Sequence, residues 1–69
     1  MNIELIGTWA GAVWNALNEA DALGMKQLKK ITTLKEKEIY AAIGWLAREG
    51  KVAIDVNPED EKESIFRLV

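Results

Sequence analysis

The chain has 69 residues, 49% of them apolar, with nine basic and eleven acidic side chains for a net charge of −2. That allows one modest core over residues 1–69 and leaves no room for a second domain. The absence of cysteine and histidine excludes disulfide staples and thiolate metal sites, and removes the commonest acid–base group near neutral pH.

Residues 1–14 are rather apolar but carry no basic residue, and Glu4 stands where a signal peptide would be positive. No apolar run approaches the roughly 20 residues of a membrane span. A bacterial cytoplasmic protein without membrane contact is expected.

A first helix is expected over 3–19. Ile6, Trp9, Ala10, Val13, Leu17 and Ala20 form one stripe at helical spacing, with Ile3 and Trp14 on its flank. Glu4, Thr8, Asn15 and Asn18 face the other way, and Gly7 and Gly11 share that outer side. Each glycine costs about 1 kcal/mol of helix propensity relative to alanine. Such a pair is either surface glycine tolerated in a helix held by its core face, or a flat strip against which another backbone can rest.

Residues 21–24 suit a turn and a very short strand, with Leu23 pointing inward. A second helix over 25–31 shows Leu28 and Ile31 to the core and Lys26, Gln27, Lys29 and Lys30 to solvent. Leu34 sits in the turn that follows. The third helix, over 35–49, carries Ile39, Ala42, Ile43 and Leu46 on its buried line and stops at Glu49-Gly50. Thr33 with Glu36 three residues on has the form of a capping box. Val52, Ile54 and Val56 alternate with Ala53 and Asp55 along a half-buried strand over 51–56. Residues 57–63 read as a polar, acidic loop, and 64–69 as a returning strand with Phe66 and Leu68 inward. The expected core is Ile6, Trp9, Val13, Leu17, Leu28, Ile31, Ile39, Ile43, Leu46, Val52, Ile54, Phe66 and Leu68.

This α+β order of three helices, a short strand and a C-terminal hairpin resembles the winged helix-turn-helix superfamily. The likeness rests on Leu28, Leu34, the Ile39, Ala42-Ile43, Leu46 line, and Arg48-Glu49-Gly50-Lys51-Val52 leading into the wing. More narrowly, Gly7, Ala10-Gly11, Trp14, Leu17-Asn18 and the run from Ala42 to Glu49 resemble a group of very small, stand-alone bacterial winged-helix proteins without an assigned activity. The resemblance covers nearly the whole chain. It implies the fold, and implies DNA binding by analogy. Many DNA-binding members begin the third helix with Ser or Thr, which caps the helix and touches phosphate; here Lys35 takes that position and the cap is expected at Thr33.

Charge is unevenly placed. Residues 22–51 hold seven basic and three acidic side chains, whereas the remainder holds two basic and eight acidic ones. Lys26, Lys29, Lys30, Lys35 and Lys37 are candidates for phosphate contact, and Tyr40 and Arg48 for reaching a groove. The same charges also suit an ordinary solvated helix surface. Against base readout, the outward face of the third helix centres on Ala41 and Gly44, where donors and acceptors such as Arg, Asn or Gln are wanted. Asp55, Glu59, Asp60, Glu61 and Glu63 make the wing a poor DNA contact, with only Lys62 and Arg67 to oppose them.

Gly7, Gly11, Tyr40, Ala41, Gly44 and Trp45 instead combine small and aromatic residues in the manner of a protein interface. Trp45 can equally lie against the wing of its own chain. Asp55, Asn57 and Glu59 have part of a calcium-loop spacing, but Pro58 interrupts it and Phe66 stands where a bidentate Glu belongs. The expected function is therefore a DNA-binding, transcription-regulator-like module with weak sequence discrimination. The alternative is a protein-interaction or homodimerisation module that does not bind DNA. No catalysis, metal, cofactor or small-molecule substrate is expected.

Overall fold

A computed structural model describes residues 1–69 and shows, in chain order, α1 (Ile3–Asn18), β1 (Leu23–Gly24), α2 (Met25–Thr32), α3 (Glu36–Arg48), β2 (Val52–Asn57) and β3 (Asp60–Leu68). Helix α1 starts where Asn2 caps it, the Asn2 side-chain oxygen accepting from the Leu5 N–H at 2.8 Å. Its inner stripe buries Ala10, Val13, Ala16 and Leu17. Ile6 and Trp9, expected in the core, are only half-buried because the other elements cover the C-terminal half of α1 more fully.

Helix α2 begins at Gly24, whose N–H donates to Gln27 Oε1 at 2.9 Å. It ends at Thr33, which adopts a left-handed conformation (φ 59°) and donates its N–H to the Lys29 carbonyl. Thr33 therefore closes α2 and does not cap α3. The residue that precedes α3 is Lys35, and Glu38 Oε1 accepts from the Lys35 N–H at 2.8 Å. Lysine has no acceptor to give in return, so the capping is one-sided.

The end of α3 follows the expected pattern. Gly50 has φ +71°, its N–H donates to Ala47, and the Lys51 N–H reaches back to the Leu46 carbonyl at 2.9 Å. This is a Schellman motif, and it turns the chain directly into β2.

The sheet is antiparallel with strand order β1-β3-β2. Leu23 and Ile54 both pair with Phe66, one on each side, so the three side chains share a row and a face. The row grades from inside to outside: Leu23 is 6% exposed and Phe66 1%, but Ile54 is 53% exposed. The helices cover β1 and β3 and leave the far edge of the sheet open. Ile54 and Val56, expected inward, lie on the expected face, yet beyond the buried Val52 that face is bare along β2. The hairpin also differs from expectation. Asn57 pairs with Asp60, so the loop is only Pro58-Glu59, and residues 60–63, expected in a loop, begin β3. A bulge between Val56 and Asn57 absorbs the extra β3 residues.

The core unites Val13 and Leu17 of α1, Leu28 of α2, Ile39, Ile43 and Leu46 of α3, Val52 of β2 and Phe66 of β3, with Ala10, Ala16 and Ala42 between the helices. Leu68 is packed against it but remains half-buried. Ile31 is 57% exposed, contrary to expectation. Met25, Leu28 and Thr32 form the inner line of the short α2, which turns Ile31 to the rim beside α1.

Leu46→Ala removes a buried side chain at the meeting point of α3 with α1 and should cost about 2–5 kcal/mol. A thermal or urea melt checks this, and an unchanged midpoint would refute the assigned packing. Gly50→Ala forces a Cβ into the left-handed region and should cost about 1 kcal/mol, visible as a melting temperature lower by several degrees.

Candidate nucleic-acid interface

Lys26, Lys29 and Lys30 project from α2 and Lys35 and Lys37 from the start of α3, all exposed. The ion pairs of the fold are Lys51–Glu49 at 3.8 Å and Arg67–Asp55 at 2.7 Å, so none of these five lysines is tied to a carboxylate. Being exposed, both pairs are worth under about 1 kcal/mol. Tyr40 is exposed one turn into α3. Arg48 is exposed in its last turn, about 16 Å along the axis from Lys37.

Not all candidates converge. Lys26, Lys29 and Tyr40 line one groove of about 270 Å³ between α2, α3 and the wing, together with Met25, Glu36, Asp60, Lys62, Glu63 and Ser64. Lys30, Lys35, Lys37 and Arg48 lie outside it. The acidic residues of β3 thus stand opposite the α2 lysines across a groove, where the sequence placed them on a free loop. Glu63 reaches furthest: its carboxylate lies over Gly24, at the start of α2, so that a Cβ there would run into Glu63 Oε1. An acid at a helix N-terminus is favourably placed. Residue type and spacing do not place Asp60 and Glu63 in this groove; the early start of β3 brings them there.

The interface candidates divide as well. Gly7, Gly11 and Trp45 come together in a groove of about 430 Å³ between α1 and α3, with Ala10, Trp14, Asn15, Leu46, Glu49 and Lys51. Trp45 therefore borders a groove that α1 closes on the other side. An added Cβ at Gly7 or Gly11 would meet nothing within 4 Å. Tyr40 belongs to the other groove, Ala41 is half-buried, and Gly44 is open to solvent. No three His, Cys, Asp or Glu side chains converge to hold a metal ion. No helix is long and apolar enough to cross a membrane.

Residues 1–68 match the family described as winged helix-turn-helix domain (DUF2582). The chain belongs to this family. Among solved structures, this winged helix-turn-helix domain is similar to protein BT2368 from Bacteroides thetaiotaomicron, at 35% identity and a TM-score of 0.84, over 99% of this chain and 79% of that one. It is similar to the PcaV transcriptional regulator from Streptomyces coelicolor, at 26% identity and a TM-score of 0.82, over 88% of this chain and 45% of that one. A mutant MarR from E. coli complexed with operator DNA shares the fold at 17% identity and a TM-score of 0.80, over 96% of this chain and 54% of that one. The winged helix-turn-helix domain thus spans about half the length of these two regulators. No curated protein matches the sequence.

Gly11→Ala should stabilise the free domain by about 1 kcal/mol, since the site is helical, open and has no neighbour to displace. A melting temperature raised by several degrees is expected; a lower one would mean that the groove is tighter than described.

Proposed function

We propose that the chain is a DNA-binding module of the transcription-regulator kind, gripping phosphates with little discrimination among bases. The observation that carries this reading is the group of five exposed lysines on α2 and at the start of α3, none of them held by a carboxylate of its own chain. Free ammonium groups release counterions from DNA most effectively when no internal partner must first be displaced. The shared fold of a MarR protein complexed with operator DNA supports the reading. Weak discrimination follows from α3, whose outward face has Ala41 and Gly44 at its centre and so few groups that can bond base edges. Lys26, Lys29, Lys30, Lys35 and Lys37 contact phosphates, and Tyr40 and Arg48 reach toward a groove. The acidic side of the wing keeps β3 off the DNA. On this reading the protein works in the bacterial cytoplasm, without catalysis, metal, cofactor or small-molecule substrate.

An NMR titration with a mixed-sequence duplex at low salt tests this. Shifts confined to α2 and α3 amides are expected. If all five lysines engage, the logarithm of the affinity should fall against the logarithm of salt with a slope of about −4 to −5. The double variant Lys29→Ala, Lys30→Ala should flatten that slope by about 2. An unchanged spectrum at low salt would overturn the reading.

The α1–α3 groove favours a second function, docking of another protein or a second copy, because Gly7, Gly11, Trp14 and Trp45 meet there around open space. Gly11→Arg should abolish such docking and leave the fold intact, whereas the half-buried Ala41 is a poor place for that test.

A further inference from the structure

Strand β2 is the longer of the two outer strands of the sheet, and one of its edges has no partner. Which groups face that edge follows from the ladder. The Val69 N–H donates to the Lys51 carbonyl at 3.1 Å, which marks Lys51 and Val69 as a hydrogen-bonded pair. Bonded and non-bonded pairs alternate along antiparallel strands, so Ala53–Arg67 and Asp55–Ile65 are bonded pairs. The N–H and C=O groups of Val52, Ile54 and Val56 therefore point to the open edge.

Natural edge strands are usually guarded by lysine, proline, an inward-pointing charge or a bulge. From Val52 to Val56 there is no such guard: Pro58 and the bulge come only beyond Val56. The single charge, Asp55, is on the opposite face and is bonded to Arg67 of its own chain at 2.7 Å. The same stretch carries apolar side chains that the helices leave bare, with Ile54 53% and Val56 65% exposed.

The order Val-Ala-Ile-Asp-Val is also close to a palindrome. Reversed against itself about Ile54, it sets Val52 opposite Val56, Ile54 opposite Ile54 and Ala53 opposite Asp55. No like charges oppose each other directly across that seam. We propose that a second copy of this chain pairs antiparallel with β2, its two-fold axis passing at Ile54, and joins the two sheets into one. The outward-pointing groups of Val52, Ile54 and Val56 are those that such a register bonds, with each pair exchanging both of its hydrogen bonds. The self-complementary register is what selects a second copy over an unrelated strand, since an isologous contact requires one patch to match itself. The contact uses neither the lysines of α2 and α3 nor the glycine strip of α1, and stands whether or not DNA is the ligand.

Sedimentation and amide hydrogen exchange of the full chain, from dilute solution to about 1 mM, test the proposal, a range that captures even millimolar self-affinity. The mass should rise toward twice the monomer value, and the amides of Val52, Ile54 and Val56 should become protected together over the same range. Ile54→Lys brings two ammonium groups face to face at the axis and should hold the protein monomeric throughout, with an unchanged circular dichroism spectrum. Val56→Lys should act in the same way and serves if the first variant folds poorly. A chain that stays monomeric at about 1 mM would overturn the proposal. So would a dimer in which those three amides exchange as fast as in dilute solution, since its contact would lie elsewhere, for example in the α1–α3 groove.

Discussion

The fold depends on the burial of Phe66. It stands on the central strand of the sheet, holds Leu23 on one side and Ile54 on the other, and is among the most fully buried side chains, with Val13, Leu17, Leu28 and Ile39. Those five come from three helices and the central strand, so a single cluster ties all three helices to the sheet. In so small a chain no second cluster can take over if this one loosens. Alanines make the rest possible: Ala10, Ala16 and Ala42 let the helices approach closely enough for the few large side chains to fill the interior.

The helical part was largely legible in the sequence, because Ile39, Ala42, Ile43 and Leu46 repeat at a spacing that only a helix turns to one side. The stop at Gly50 was legible for a local reason, the need for a residue that tolerates positive φ. What escaped was coverage. Alternation assigned Ile54 and Val56 to the correct face of the strand, but no pattern along one strand says how far the opposing layer extends. Ile31 failed similarly, as a helix of two turns leaves its inner line poorly determined. The caps at Asn2 and Lys35 depend on the backbone at each helix end, and the Thr33–Glu36 spacing pointed to a cap that the left-handed turn forbids.

The candidate site was half legible. Residue types and their positions on a helical wheel sufficed to find the exposed lysines and the glycine strip. The partners of each could not be found that way. Trp45 shares a groove with Gly7 and Gly11 because α1 and α3 pack side by side, and Asp60 and Glu63 face Lys26 and Lys29 because β3 starts early. The resulting charge arrangement is directional: a cationic helical side, bordered by an anionic hairpin, gives any polyanion a single favoured approach even though the chain is acidic as a whole.

Thr33 sets the angle at which α2 meets α3, and it does so from a backbone region that a β-branched residue rarely adopts. Residues without a branched Cβ, glycine and asparagine above all, occupy that region more readily. The corner is therefore a reserve of unclaimed stability. A lineage under pressure to tolerate heat can draw on it by one substitution that touches neither helical face, leaving the lysines, the grooves and the open strand as they are.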